Sequence, residues 1–351
     1  MDIAKELLRL IEIDSRSGNE AKIIKYLEKR LLNLGFSCVK QKITDKRENL
    51  IINPLKTPKL VISTHVDTVS LENPPRIENS RVYGIGSSDP KASIVSILYA
   101  LEKVEKNVLE EKGITIAFFV DEEEQGLGSE RFCEIYKPKY ALVLEPTDLN
   151  ICIAEAGSYE VEIIVKGRAA HGSEVEKGEN AIIKAFNLIK EIDKLSFLKE
   201  EHELIGKSNF NIQMIKGGGK LLAVPEVCEL IIDFRLLPTH DLKNVKSEIE
   251  DFLRSKKAEF KFIDFSPPFE ISPDSKIVKR LKEAFEIVTR RKAKIAGIKS
   301  WTDAENFHRA KAEATIFGPG KLEVCHTKEE HVEIKDVGIA GEVLKELILR
   351  F

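Results

Sequence analysis

The apolar positions of the chain recur in two distinct patterns. In the first, four short runs are apolar at nearly every position and stop abruptly: "KLVIST" at His65, "ITIAFFV" at Asp121, "YALVL" at Glu145 and "ATIF" at a Gly-Pro-Gly turn. A strand covered on both faces has no polar side, so such runs predict buried parallel strands. In the second, apolar residues return every three or four positions, as in "AKIIKYLEKRLLNLG", "PKASIVSILYALEKVEK", the stretch from Asp274 to about 288, and "IKDVGIAGEVLKELILR". These predict helices, the first closed by Gly35 as a C-cap. Strands alternating with helices predict a doubly wound α/β domain with a mixed, mainly parallel sheet.

The middle of the chain has a different order. From about 158 to 264 it runs strand "SYEVEIIVKG", helix "ENAIIKAFNLIKEID", strands "SNFNIQMIKGG" and "EVCELIIDFRLLP", helix "LKNVKSEIEDFLRSK", strand "EFKFIDF". This is the order of a split βαβ, ferredoxin-like α+β domain with helices on one face of an antiparallel sheet. The predicted architecture is therefore a discontinuous catalytic domain, 1–157 and 266–351, interrupted by a lid domain, 158–265. Hinges are expected at Ala156–Gly157 and near Phe265–Pro268. The glycine run before Lys220 and Leu221 lacks P-loop spacing and reads as a turn.

Composition narrows the function classes. A chain of 351 residues suits two domains. The formal net charge of -3 gives no electrostatic footprint for nucleic acid or an anionic membrane. No apolar run approaches the ~20 residues of a membrane span, and the first residues form an amphipathic helix pattern without a signal-peptide layout. A cytoplasmic location is expected. The five cysteines are scattered and form no C-x-x-C pair, so neither a zinc ribbon nor a disulfide framework is expected. Abundant Lys and Glu with two Met is a composition seen in hyperthermophile proteins.

The candidate chemistry lies at the strand ends, where open α/β sheets bind ligands. His65 and Asp67 follow one run, Glu122 and Glu123 the next, Glu145 the third, and His326 comes after the fourth. Asp89 lies in the glycine loop "YGIGSSDPKAS". Two histidines with several carboxylates and no thiolate suit divalent zinc, cobalt or manganese. Two ions sharing Asp89 would use five residues: His65, Asp89 and Glu145 on one, Asp89, Glu123 and His326 on the other. Asp67 is then placed to hold the second nitrogen of His65. Glu122, left over, is the candidate base for a metal-activated water, and amide hydrolysis is the expected reaction. Cys325 points away from the ions if the segment before His326 is extended.

These residues lie in the motifs "STHVDTV", "GIGSSDPKAS", "VDEEEQGLGS", "LEPT", "GRAAHGS", "VPEVCELIIDFRLLP" and "GPGKLEVCHTKEEHV". Taken together and in this order, they resemble the acetylornithine deacetylase and succinyl-diaminopimelate desuccinylase family of dinuclear-zinc metallopeptidases. Carboxypeptidase-G, aminoacylase and acetyl-lysine deacetylases are relatives. The resemblance covers essentially the whole chain. It implies the same ligand roles, two zinc ions, and Glu122 as base. It further implies that His171 reaches the active site of a partner subunit to hold an oxyanion, and that Arg235 binds a substrate carboxylate. A lid that closes and a homodimer follow from those roles. A pairing of Arg235 with a carboxylate on its own sheet is the alternative reading. The implied substrate is an N-acyl amino acid such as acetylornithine, acetyllysine, succinyl-diaminopimelate or an amino acid on a glutamyl carrier. A carboxypeptidase or dipeptidase on the same site is the alternative, and a non-catalytic binding protein a more distant one.

Three positions depart from the pattern of the family. Leu222 lies near a usual Asn, Cys325 replaces a small residue, and Pro90 follows Asp89 where Met is common. In relatives the peptide after this Asp is typically cis. Such a bond costs about 3–4 kcal/mol before an ordinary residue and about 0.5–1 kcal/mol before Pro. A cis Asp89–Pro90 bond is expected.

Overall fold

A computed structural model describes residues 1–219 and 222–351. Lys220 and Leu221 of the glycine turn lie outside the described residues. The chain divides into two compact units. The larger comprises Met1–Ile153, Ile271–Gly297 and Thr302–Phe351, and the smaller Ala154–Glu270 with Ile298–Trp301.

The larger unit is built on strands β1 (Cys38–Lys42), β2 (Glu48–Ile52), β3 (Leu60–His65), β4 (Ile114–Phe119), β5 (Tyr140–Val143) and β6 (Ile151–Glu155), the last of which runs on into the smaller unit. A late strand, Glu313–Ile316, inserts between β5 and β6, so the spatial order is β1-β2-β4-β3-β5-(Glu313–Ile316)-β6. The inner four strands are parallel. The pairs at either side, β1–β2, β2–β4 and Glu313–Ile316 with β6, are antiparallel. This is the expected doubly wound, mixed-parallel sheet.

Every residue of β3, β4 and β5 is buried. Their near-continuous apolar runs follow from that double coverage. Helices Ile3–Glu12, Lys91–Leu101, Lys276–Thr289 and Ile334–Arg350 pack into one layer, and Leu127–Ile135 packs with Ala304–Arg309 elsewhere. Gly35 ends helix Ala21–Leu34 with φ 86°, the left-handed cap predicted for it. Lys91–Leu101 is buried at almost every position, so it reads as a core helix despite starting with a lysine.

The smaller unit carries strands β7 (Gly157–Lys166), β8 (Phe210–Gly217), β9 (Val227–Leu236) and β10 (Glu259–Ser266) in the order β8-β9-β7-β10, all antiparallel. Helices Ala181–Ile192 and Leu242–Ser255 complete the βαββαβ, ferredoxin-like order. Val161, Ile163 and Val165 of β7 and Leu230, Ile232 and Phe234 of β9 share one core with Ala185, Leu188, Val245 and Ile249 of the helices. Both helices therefore cover one sheet face, and the other face carries the polar residues of each alternation. The outgoing and returning chains run against each other at Gly157, where a Cβ would meet Ser266 O at 2.2 Å. Only glycine fits there.

Candidate metal centre

The parallel strands deliver their C-terminal ends to one place. His65 is the last residue of β3, and Glu145 follows β5 by two residues. Both side chains are buried, His65 completely. His65 Nε2 lies 2.8 Å from Asp89 Oδ1 and 3.8 Å from Glu145 Oε2. On the other side of Asp89, its Oδ2 is 3.8 Å from His326 Nε2, which is 3.1 Å from Glu123. The ligand atoms of His65, Asp89 and Glu145 all lie within 4.8 Å of one another, as do those of Asp89, Glu123 and His326. Asp89 thus presents one oxygen to each trio.

Asp67 ties Glu122 and Glu123 to the end of β3. Its Oδ1 faces His65 Nδ1 at 3.4 Å and accepts the Glu122 backbone N–H at 3.2 Å. Its Oδ2 accepts the Glu123 N–H at 3.2 Å and the Ser17 hydroxyl at 2.7 Å. Burial acts upward on the Asp67 carboxyl, but His65, the Ser17 hydroxyl and the Glu123 N–H outweigh it and hold the carboxyl below its usual range. Asp121, at φ 74°, redirects the chain so that the two N–H groups reach Asp67. A left-handed Asp is tolerated but strained. Arg47 grips its Oδ1, and the Leu127 N–H donates to its Oδ2 at 3.2 Å.

Glu122 belongs to neither trio. A tenth of its side chain is exposed, and its Oε2 lies 3.9 Å from His65 Nε2. Burial pushes its carboxyl well above the usual range, against the pull of His65 and with Glu145 and Glu123 adding repulsion. Burial likewise lifts Glu145 to about 8. For His65, burial acts downward, but Glu122 and Glu145 outweigh it and raise the imidazole well above its usual range. The hydrogen bond to Glu123 raises His326 to about 9.

This donor set fits divalent cations. It gathers a surplus of buried carboxylates around two imidazoles, and Glu145 Oε1 is buried without a hydrogen-bond partner. An uncompensated buried carboxylate is costly, and oxygen with imidazole nitrogen is the ligand mixture such ions take.

Four further residues around these groups are not among the candidates named from the sequence. Glu330 is buried and its Oε1 accepts the N–H groups of Ser88 at 3.0 Å and Asp89 at 3.2 Å. Asp303 is fully buried, bonded to Ser129 Oγ, and lifted to about 7 by burial. Ser17 and Arg47 act through the contacts given above. Each of the four meets backbone or side chains far away in the chain, which periodicity does not report.

The Asp89–Pro90 peptide bond is cis, as expected. Cys325 is buried, and its thiol donates to Lys321 O at 3.2 Å. The remaining two candidates lie in the smaller unit. His171 is exposed, with Nδ1 2.8 Å from Ser173 Oγ. Arg235 Nη2 is 2.7 Å from Asp233 Oδ2, so the ion pair on its own sheet is present. Leu222 is 87% exposed, and its side chain packs little against anything.

The sequence profile of peptidase family M20/M25/M40 matches residues 61–350. The chain belongs to this family. It is accordingly a metal-dependent hydrolase of amide bonds. An uncharacterized metallohydrolase of Methanocaldococcus jannaschii is 28% identical over 360 residues, spanning 96% of this chain and 94% of its own. The LysW-lysine/LysW-ornithine hydrolase of Saccharolobus solfataricus is 27% identical over 344 residues, spanning 96% of this chain and 92% of its own. Among solved structures, the M20 family metallo-carboxypeptidase Sso-CP2 of Sulfolobus solfataricus shares the fold with a TM-score of 0.78 at 18% identity, over 99% of each chain. Among the described residues, no helix is long and apolar enough to cross a membrane.

Proposed function

We propose that the chain removes an acyl group from an N-acylated amino acid, using two divalent ions. His65, Asp89 and Glu145 hold one and Asp89, Glu123 and His326 the other. Zinc suits these ligands, as do cobalt and manganese. The observation that carries this reading is the pair of donor trios meeting on Asp89, with Glu122 beside them and in neither. When bound, such ions act as Lewis acids that polarise a carbonyl and acidify water.

The protein's own residues supply the proton traffic. Glu122 takes a proton from the attacking water as its oxygen joins the acyl carbon. It returns that proton to the nitrogen as the C–N bond breaks, and a carboxylic acid and an amine leave. Asp67 fixes His65 by its Nδ1 and Glu122 by its backbone N–H. Arg235 receives the carboxylate of the substrate, a role suited to a planar guanidinium fork, and Asp233 holds that fork in place. His171 helps hold the oxyanion in the site of a partner subunit.

The smaller unit offers the features a dimer would use. Strand β8 is the edge of its sheet, with Ile212 and Ile215 exposed. Helix Ala181–Ile192 exposes Ile183 and Phe186, which lie one turn apart on one face. An apolar edge strand beside an apolar helix face is a pairing surface. In solution the wild-type mass is expected to be that of two chains. The double change Ile183→Asp, Phe186→Asp halves it and lowers activity, because His171 then has no partner site to complete. A wild-type monomer with full activity contradicts both roles.

The function is tested with metal-loaded protein on acetyl-, succinyl- and glutamyl-amino acids alongside di- and tripeptides. Hydrolysis is expected on acylated amino acids with a free carboxylate, as in acetylornithine or acetyllysine. A preference for peptides makes the enzyme a carboxypeptidase or dipeptidase on the same site, and hydrolysis of none of them contradicts the reading.

A further inference from the structure

The two trios are not held alike. His65 and Glu145 sit at the ends of central strands, with side chains 0% and 4% exposed. Their positions are set by the sheet itself. His326 rides on a loop, Lys321 to Glu330, and 48% of its side chain is exposed. Its backbone is left-handed at φ 60°, a region uncommon outside glycine although histidine enters it more readily than most residues. Something other than regular structure must therefore place this ligand.

The loop is pinned at both ends to the glycine loop that carries Asp89. At its start, the Lys321 N–H donates to Ser88 Oγ at 3.1 Å. At its end, Glu330 Oε1 accepts both the Ser88 N–H at 3.0 Å and the Asp89 N–H at 3.2 Å. The Glu330 carbonyl also accepts from Gly84 N–H at 3.1 Å and from Asn73 Nδ2 at 3.2 Å. Glu330 is buried, whereas Glu329 is exposed and His331 only half-buried. Its carboxylate is thus turned inward to meet two backbone donors that would otherwise be buried and unpaired.

We propose that Glu330 is the positioning residue of the second cation site, formed by Asp89, Glu123 and His326, and that it sets the affinity of that site relative to the first. The inference rests on the two-ion reading given above. Without the Glu330 carboxylate, the end of the His326 loop keeps the carbonyl bonds to Gly84 and Asn73 but loses its tie to the Ser88 and Asp89 backbone, and His326 retains one hydrogen-bond contact within the site, Glu123. Asp89 keeps its contact with His65, and Lys91–Leu101 directly after it stays packed in the core. The first site is therefore spared, while the second loses the alignment of its histidine.

The test is equilibrium dialysis of the full chain against buffers of fixed free Co²⁺, counting ions per chain and following the cobalt absorption bands. Wild type takes up two ions in two steps. In Glu330→Ala the first step stays within about threefold of wild type, and the second weakens by about 10- to 100-fold, the usual cost of losing a residue that orients a metal ligand. Glu330→Gln keeps an acceptor oxygen and recovers most of the second step. If Glu330→Ala does not fold, Glu330→Asp, with its shorter reach, gives the same selective weakening. Equal weakening of both steps marks a generic structural role and overturns the proposal, as does an unchanged second step. A wild type that binds one ion overturns the two-ion reading itself, and the proposal with it.

Discussion

Changing Glu122 to Gln lowers kcat by about 100- to 10,000-fold, the range a positioned general acid–base contributes, and leaves the metal content of the protein unchanged. Gln has the same shape, so the backbone hydrogen bond to Asp67 survives and Glu123 keeps its place. What is lost is the only function assigned to the side chain, carrying a proton between water and the leaving nitrogen. The change also removes a carboxyl whose ionised form burial and its acidic neighbours disfavour, so thermal stability stays level or rises. Steady-state kinetics with metal analysis of the same samples checks this. A variant within about threefold of the wild-type rate removes Glu122 as the base. A variant that loses metal in step with activity makes it a ligand.

Stripping the metal gives the second large effect, and its pH dependence has a definite sign. In the metal-free protein, burial raises Glu145 from 4.5 to about 8 and Glu330 from 4.5 to about 7. The Glu123 hydrogen bond raises His326 from 6.5 to about 9. Each group binds its proton more tightly folded than unfolded. Between the two pKa values the folded state holds more protons, so stability falls as pH rises. The metal-free protein is therefore expected to lose stability steadily from about pH 5 to pH 8 or 9. Bound ions replace those protons, flatten the dependence, and add about 4 kcal/mol for each ion when free metal is 1,000 times its Kd. Thermal melts across pH, with and without a chelator, measure both. A metal-free protein that gains stability over this range contradicts the charge balance described for the site.

The parts of the fold that could be read from sequence are those in which burial leaves no choice of residue. β3, β4 and β5 are covered on both faces, so their apolar runs are unbroken and their ends are sharp. Those sharp ends locate His65, Glu122, Glu123 and Glu145, since a polar residue directly after such a run sits at the open end of the sheet. The ferredoxin-like order of the smaller unit is legible because its strands alternate and its helices are amphipathic. β1 is not legible. It is an edge strand with no buried residue, and "CVKQK" has neither an apolar run nor a clean alternation. Glu330 lies among charged residues in "HTKEEHV", and nothing local distinguishes its inward turn from the exposed Glu329. Asp121 and Arg47 meet only because the chain brings residues 74 positions apart together. Sequence thus locates residues that end buried strands, and reaches the loop residues Asp89 and His326 only through their motifs. The side chains and backbone groups that pin those loops, Glu330 above all, are not legible in it.

A crystal structure of the zinc-loaded protein, with anomalous data at the zinc edge, tests whether Asp89 is shared by two ions. Two anomalous peaks are expected about 3.5–4 Å apart, one oxygen of Asp89 on each, with His65 and Glu145 at the first and Glu123 and His326 at the second. A single peak, or a second zinc away from Asp89, would contradict that sharing.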